Sequence, residues 1–230
     1  MILSANQPYF LPYFPYWQLI AAADTFLVSD DYAFMKGSWI PRNRILVNGR
    51  VQYIRLDVKK RSCHKLINQT TLVPFNPAEK LRTVEMAYHK APFFNDGYAL
   101  LERVLGSTET NLATFLHQSI AEVCGYLGIT TRLLKSSDLP GNSMLRREER
   151  VYDFCHRLGA DTYINAIGGQ ALYNKEAFSR EGIKLFFINS EAAPYDQGGI
   201  PFVPQLSVLD AIMFNSKDAL NERLGQYSLI

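Results

Sequence analysis

The sequence predicts an α/β fold built on a parallel sheet, and two patterns carry this prediction. At the start of the chain an apolar segment, a loop, a helical segment and a second apolar segment follow one another, as in a parallel βαβ unit. In the later part of the chain predicted helices and strands alternate again, which is typical of parallel sheets covered by helices.

The opening unit is predicted from short apolar runs and from the position of proline. Met1 to Ala5 is predicted as a buried strand, and Thr25 to Ser29 as a second apolar strand. Between them Pro15 to Ala23 is predicted as a helix, because proline is tolerated in a first helical turn. The loop that precedes this helix, from Asn6 to Tyr16, is rich in proline and aromatic residues.

The middle of the chain predicts a hairpin followed by helices. Asn48-Gly49 favours a two-residue turn with positive φ at both positions, so Asn43–Val47 and Val51–Val58 are predicted to pair. The basic stretch Lys59–Asn68 is predicted as a loop and Leu72–Val73 as a short strand. The predicted helices, with Asn76 and Pro77 starting the first, are 77–90, 93–106 and 111–127.

The later segments predict the second half of the parallel sheet. The predicted strands are 130–134, 162–165 and 183–189, and the predicted helices are 147–158, 175–181 and 207–214. We therefore expect one domain over residues 1–230 with a Rossmann-like core, in which 43–58 is a hairpin flap and 77–127 a helical insertion.

Composition narrows the class of protein. Hydrophobic residues make up 47% and charged residues 20%, with a net charge of +2, which is ordinary for a globular protein and too small to predict bulk nucleic-acid binding. The odd set of three cysteines (Cys63, Cys124 and Cys155) has no CxxC and favours a reduced, cytoplasmic protein. No signal peptide or apolar run of spanning length is visible, and the sequence leaves homo-oligomerisation open.

Two loops are the strongest candidates for a ligand site, because ligands of open parallel sheets bind at the carboxyl ends of strands. In the first loop Asn6 and Gln7 offer amides and Tyr9 offers a ring, although its aromatics also suit plain core packing. In SDDYAFMKGSWIPRNRI, Asp30 and Asp31 end a strand, and Lys36, Arg42 and Arg44 follow near Trp39. Cations and an aromatic suit a phosphorylated ligand, whereas a surface ion-pair patch is the structural alternative.

Three further stretches are weaker candidates. In SSDLPGNSMLRREERV a strand end and a helix start supply Ser136, Ser137 and Arg150; in YINAIGGQALY, Asn165 precedes Gly168-Gly169, which permits close backbone approach. The stretch YDQGGIPFVPQLSVLD adds Tyr195 and Gln197. The four histidines are scattered and no HExxH, GxGxxG, P-loop or GxSxG motif occurs, so no metal site is predicted.

Several blocks, in this order, resemble the WbqC-like proteins: ANQPYFLPYFPYWQLIAAADTFLVSDD, KGSWIPRNRI, AYHKAPFF, SSDL, ADTYINAIGGQALY and FVPQLSVLDAIMFN. The resemblance runs from Ile2 to about Asn215. It implies a place in O-antigen or other surface-polysaccharide synthesis, with amino-acid transfer, such as glycine transfer, to a sugar. Many members have HQPNYLP where this chain has Asn6 first, which argues against an acid–base role at that position. The opening also resembles nucleotidyltransferase-type folds, without their HxGH element.

The leading hypothesis is therefore an enzyme that transfers an acyl or aminoacyl group to a nucleotide-linked amino-sugar. Its candidate catalytic residues are Asp30, Asp31 and Lys36, with an aspartate as base. Its candidate substrate-binding residues are Asn6, Gln7, Tyr9, Trp39, Arg42, Asn43, Arg44, Ser136, Ser137, Arg150, Asn165, Gly168, Gly169, Tyr195 and Gln197. The alternatives are a nucleotidyl-transferring or adenylate-forming enzyme that uses ATP, and a non-catalytic module that binds a sugar nucleotide.

Overall fold

The computed structural model describes residues 1–59 and 64–230. Residues 60–63, which include Cys63 and part of the predicted basic loop, lie outside the described residues. The strands are β1 Ile2–Asn6, β2 Thr25–Val28, β3 Arg42–Val47, β4 Arg50–Arg55, β5 Arg132–Lys135, β6 Thr162–Ala166, β7 Lys184–Ser190 and β8 Tyr227–Leu229. The α-helices are α1 Phe14–Ala21, α2 Pro77–Tyr88, α3 Phe94–Leu105, α4 Leu112–Leu127, α5 Arg147–Leu158, α6 Lys175–Arg180, α7 Val208–Phe214 and α8 Lys217–Leu224.

Six strands form one mixed sheet, in the order β5-β2-β1-β6-β7-β8. Every neighbouring pair in it is parallel except β7 and β8, which are antiparallel. The predicted parallel, Rossmann-like α/β core is thus confirmed, with an antiparallel edge strand that the sequence did not predict. From β1 the chain first builds outward through β2 to β5, and later through β6 to β7. The order therefore reverses between β1 and β6, which makes their carboxyl ends the switch point of the sheet.

Helices cover both faces of the sheet because successive strand residues point to opposite sides. On β6, Tyr163 belongs to an apolar cluster with α5 and α6, while Ile164 belongs to the larger cluster with α1, α4 and α7. The thiols of Cys124 and Cys155 are buried in these layers, and burial raises the pKa of each to about 12. Both cysteines are therefore packing residues.

The hairpin of β3 and β4 forms a separate two-stranded sheet. Asn48 and Gly49 have φ values of 50° and 71°, as the predicted turn requires. Its inner face packs Ile45, Val47 and Ile54 into the core. The predicted strand Leu72–Val73 is wrong, since the segment forms only one isolated bridge, from Leu72 to Val58. In the parts of the chain that the structure describes, no helix has the length and apolar character needed to cross a membrane.

Candidate functional site

A cavity of about 570 Å³ opens at the switch point between β1 and β6. This volume lies in the range of small-molecule sites, roughly 300–1,000 Å³. Its lining residues are mostly aromatic or amide-bearing: Ala5, Asn6, Gln7, Tyr9, Pro12, Tyr13, Ser29, Tyr32, Trp39, Asn43, Arg44, Val151, Phe154, Tyr163, Asn165, Ala166, Gly168, Gly169, Leu172, Tyr173 and Gln205.

The first loop serves both the core and the cavity. Phe10 and Leu11 are buried, while Tyr9 and Tyr13 line the cavity. Leu11 has a φ of 46°, a strained value for a side chain of this kind. Its carbonyl oxygen accepts hydrogen bonds of 2.8 Å from Asn43 Nδ2 and from Ser207 Oγ. The hairpin and α7 thus fix the turn that presents the two tyrosines.

Three asparagines repeat one local arrangement around the cavity. In Asn6, Asn43 and Asn165 the side-chain carbonyl accepts the backbone N–H of the next residue, at 2.8 Å each time. This contact fixes each amide and leaves its NH₂ group to donate elsewhere. Asn43 uses its NH₂ on the backbone of the first loop, whereas Asn6 and Asn165 lie at the ends of adjacent strands, on the floor of the cavity.

One wall of the cavity is aromatic and carries phenol groups. The ring centroids of Tyr173 and Tyr163 lie 6.2 Å apart, and burial raises the pKa of Tyr173 to about 12. Burial also raises the pKa of Tyr163 well above its ordinary value, and that of Tyr32. These side chains therefore stay protonated at neutral pH and act as hydrogen-bond donors and flat apolar surfaces.

The mouth of the cavity joins the hairpin to the loop before α7. Arg44 donates through one terminal nitrogen to the backbone oxygen of Gln205 at 2.8 Å and to its Oε1 at 3.1 Å. The guanidinium carbon of Arg44 lies 5.4 Å from the ring centroid of Trp39. Gln205 has a φ of 57°, a strained conformation that is common at functional sites. Among the described residues that line the cavity, Arg44 is the one charged side chain.

The two predicted acids, Asp30 and Asp31, lie behind the wall of the cavity and are not among its lining residues. Asp30 accepts from Ser137 Oγ at 2.7 Å and from Ser137 N at 3.0 Å, and Ser136 Oγ lies 3.1 Å from its carboxylate. Asp31 forms a buried ion pair with Arg150. The residues on either side of the acids, Ser29 and Tyr32, do line the cavity.

Arg150 also lies behind the wall. Its guanidinium carbon is 4.6 Å from the ring centroid of Tyr32 and 5.2 Å from that of Phe154, and both rings face the cavity. Its Nε donates to Asn142 at 3.2 Å. The predicted set Ser136, Ser137 and Arg150 is thus brought together with Asp30 and Asp31, in a cluster that supports the cavity from outside.

The remaining predicted residues lie elsewhere. Lys36 is exposed in the loop before Trp39, and Arg42 stacks on Trp39 and Tyr53 at the outer side of the hairpin. Tyr195 and Gln197 donate to the carboxylate of Asp210, at 2.6 and 2.8 Å. That carboxylate also accepts from Tyr88 at 2.9 Å, and this second cluster lies outside the cavity lining.

Nine predicted residues line the cavity together: Asn6, Gln7, Tyr9, Trp39, Asn43, Arg44, Asn165, Gly168 and Gly169. Sequence reasoning missed Tyr13, Tyr32, Phe154, Tyr163, Tyr173 and Gln205. Tyr32 directly follows the acids and Tyr173 ends the YINAIGGQALY stretch, so position beside a candidate motif was a usable signal for both. Gln205 lies inside the candidate stretch YDQGGIPFVPQLSVLD, so the same signal was available, but its strained φ is imposed by the tertiary structure and is not visible in the sequence.

The fold and the cavity define a class, a parallel α/β protein with an aromatic, amide-lined cavity at the switch point of its sheet. The chain belongs to the WbqC-like protein family, whose sequence model matches residues 7–222. The chain is similar to the uncharacterized protein Rv1507c of Mycobacterium tuberculosis, with 28% identity over 213 residues that cover 91% of each chain. No solved structure matches the chain.

Proposed function

We propose that the protein is an enzyme of bacterial surface-glycan biosynthesis that transfers an acyl or aminoacyl group, of the glycine type, to a nucleotide-linked amino-sugar. The observation that carries this proposal is the joint lining of one cavity by the first loop, the flanks of Asp30–Asp31 and Gly168-Gly169. A ligand-sized cavity built from such distant segments is expected of a small-molecule site. A module that only docks to other proteins does not need one.

The lining suits the parts of a sugar nucleotide. Tyr9 and Trp39 offer faces on which a base or a sugar ring stacks. At the mouth, Arg44 offers a guanidinium to the phosphates, since its planar donors match phosphate oxygens. On the floor, the NH₂ groups of Asn6 and Asn165 and the phenol of Tyr173 offer hydrogen bonds to sugar oxygens.

The reaction joins an amine to an activated carbonyl. The amino nitrogen of the sugar attacks the carbonyl carbon of the acyl donor, and a new N–C bond forms. The bond from that carbon to the carrier breaks, and the leaving atom keeps its electron pair. That atom also receives the proton that the amine loses, so the products are an amide and the free carrier.

In this reaction Asp30 and Asp31 act as positioning residues and not as the base. Their oxygens are already hydrogen-bonded to Ser136, Ser137 and Arg150, and a base must lie within hydrogen-bond reach of the amine. Their part is to hold Ser29 and Tyr32 against the ligand. A positioning role predicts that Asp30→Asn lowers kcat without shifting the acid limb of the pH–rate profile, whereas a base role predicts loss of that limb.

The test is product formation. The protein is incubated with nucleotide-linked amino-sugars and activated glycine donors, with and without ATP, and the sugar is analysed by mass spectrometry for a glycyl gain. Arg44→Gln is expected to weaken sugar-nucleotide binding about tenfold, because it removes a charge-assisted contact. No mass gain with any donor, together with unchanged cellular glycan in Arg44→Gln and Asn165→Ala strains, contradicts the proposal. ATP-dependent thermal stabilisation would instead favour the adenylate-forming alternative.

A non-catalytic sugar-nucleotide binding module is the second candidate, and one observation favours it. The described residues of the lining include no carboxylate, histidine, lysine or cysteine, so the hydroxyls of Ser29 and of the tyrosines have no ordinary base in the lining to activate them. This candidate predicts that the purified protein binds the sugar nucleotide but leaves it chemically unchanged with every donor.

A further inference from the structure

The outer face of the hairpin carries cations and exposed rings together. In the register of the two strands Arg42 lies opposite Arg55 and Arg44 lies opposite Tyr53. Tyr53 and Trp39 are 44% and 40% exposed, and their ring centroids are 6.2 Å apart. The guanidinium carbon of Arg42 lies 4.8 Å from the ring centroid of Tyr53. We call this set, Trp39, Arg42, Tyr53 and Arg55, the outer hairpin face.

The charges of this face are not balanced by acids. Like charges directly opposite each other in a hairpin are destabilising, and Arg42 and Arg55 are such a pair. Within residues 1–59 and 64–230, no carboxylate forms an ion pair with Arg42, Arg44 or Arg55. The nearby Asp57 interacts electrostatically with Lys80. The face therefore carries a net positive charge that an anion would offset.

Much of the donor capacity on this face is also unused. A guanidinium has five N–H donors. In the described part of the chain, Arg42 donates from a terminal nitrogen to the carbonyl of Gly37. Its Nε has no partner but is buried, so the donors open to a ligand are those of its terminal nitrogens. Stacked guanidinium and aromatic groups, with donors to spare, are the arrangement that binds phosphate beside a flat ring.

The outer hairpin face is continuous with the mouth of the cavity, since Trp39 belongs to both and Arg44 stacks on Trp39. A cavity of about 570 Å³ takes one ligand of ordinary size, yet acyl transfer needs two reactants. We propose that the outer hairpin face docks the phosphorylated, ring-bearing carrier of the acyl donor, so that its acyl end reaches into the cavity. This inference rests on the proposed function, which places the sugar nucleotide in the cavity.

The test measures carrier binding by the full-length protein. Coenzyme A and adenosine 3′,5′-bisphosphate, which carry a purine and several phosphates, are titrated calorimetrically at low ionic strength. Arg55→Gln and Tyr53→Ala are each expected to weaken binding about fivefold to tenfold, because one charged contact or one stacking ring is lost. Arg50→Gln is the matched control. It removes the same charge from the same strand, at an exposed position paired with Val47, and is expected to weaken binding less than about twofold.

The outcomes separate this inference from the proposed function. Selective weakening of carrier binding by Arg55→Gln, with sugar-nucleotide affinity unchanged, supports the inference. Absence of binding for both carriers overturns it, and so do equal losses in Arg50→Gln and Arg55→Gln, which indicate bulk charge alone. Weakening of sugar-nucleotide binding in place of carrier binding also overturns it, while leaving the proposed function standing. If the unmodified protein binds neither carrier nor sugar nucleotide, the proposed function fails as well.

Discussion

The described part of the protein holds two buried carboxylate clusters, and they differ in the groups that surround the carboxylates. The Asp30–Asp31 cluster includes two serines and the cation Arg150. The Asp210 cluster includes only neutral donors, Tyr88, Tyr195 and Gln197. A buried charge is stabilised by a cation or by hydrogen bonds. The Asp30–Asp31 cluster has both a cation and hydrogen bonds, whereas the Asp210 cluster has hydrogen bonds from neutral groups.

The two clusters have similar places in the architecture. The first lies behind the wall formed by Ser29, Tyr32 and Phe154. The second holds the start of the loop that ends at Gln205, and Gln205 accepts from Arg44 at the mouth. The difference teaches that the cavity walls are fixed from outside by two chemically independent supports. One of them depends on an ion pair and the other on neutral hydrogen bonds to a single carboxylate.

The largest effect is expected when the ion pair is broken. Arg150→Met leaves Asp31 buried without its cation, and losing one partner of a buried pair costs about 3–5 kcal/mol. The side chains of Arg150 and Asp31 are only 6% and 16% exposed, so water does not replace the partner. The free energy of unfolding in urea measures this loss.

Arg157→Met is the control for that change, because it lies on the same helix. Arg157 pairs with Asp153 at 2.9 Å, but both side chains are partly exposed. Exposed pairs contribute about 0.2–1 kcal/mol, so the control is expected to lose no more than that from its ion pair. Similar losses in the two variants would show that Arg150 is not a buried support.

A smaller effect, with a distinct pH dependence, is expected at the second cluster. Asp210→Asn keeps the shape but replaces an accepting oxygen by a donor, which faces the existing donors and costs about 1–3 kcal/mol. Burial raises the pKa of Asp210, so the folded protein keeps this proton where the unfolded chain has lost it. The free energy of unfolding of the unmodified protein therefore falls as pH rises from the ordinary aspartate pKa, about 4, to the raised value.

The comparison of variant and parent across this pH range isolates the contribution of Asp210. The amide introduced by Asp210→Asn does not titrate, so the difference in unfolding free energy is expected to shrink as pH rises through that window. A difference that stays constant with pH would mean that the carboxylate is equally charged in the folded and unfolded chain. Urea unfolding at a series of pH values measures it.

The sequence predicts the sheet and the hairpin that surround the site, because short segments of the chain determine these elements. Apolar runs of strand length predict the parallel sheet, and Asn48-Gly49 predicts the hairpin because those residue types tolerate positive φ. Polar residues at the ends of β1 and β6, Asn6 and Asn165, predict a ligand site where the cavity lies, since the carboxyl ends of parallel strands meet at one edge.

The supports behind the site could not be predicted, because their partners are far apart in the chain. Asp30 meets Ser137 across more than a hundred residues, and Asp210 meets Tyr88 across 122. In the sequence, two adjacent acids at a strand end suggest a reactive pair. The sequence does not show that hydroxyl groups and a cation already bind these carboxylates. The edge strand β8 was missed for a similar reason, since its short, partly exposed segment pairs only through β7.

The smallest effect on stability is expected at the floor of the cavity, where Gly169 packs against Asn165. A Cβ placed on Gly169 would lie 2.6 Å from Asn165 Nδ2, so Gly169→Ala pushes this amide away from its place on the floor. We expect a loss of about 1 kcal/mol in stability, because the side chain can turn toward the cavity. Sugar-nucleotide affinity, measured calorimetrically, is expected to fall about tenfold, because the displaced NH₂ no longer meets its acceptor.

Gly168→Ala is the matched control, since a Cβ there meets no atom within 4 Å, and it should leave both stability and affinity nearly unchanged. Equal affinity losses in the two variants would place the effect in the backbone of this turn and not in Asn165, and the floor of the cavity would then need another donor.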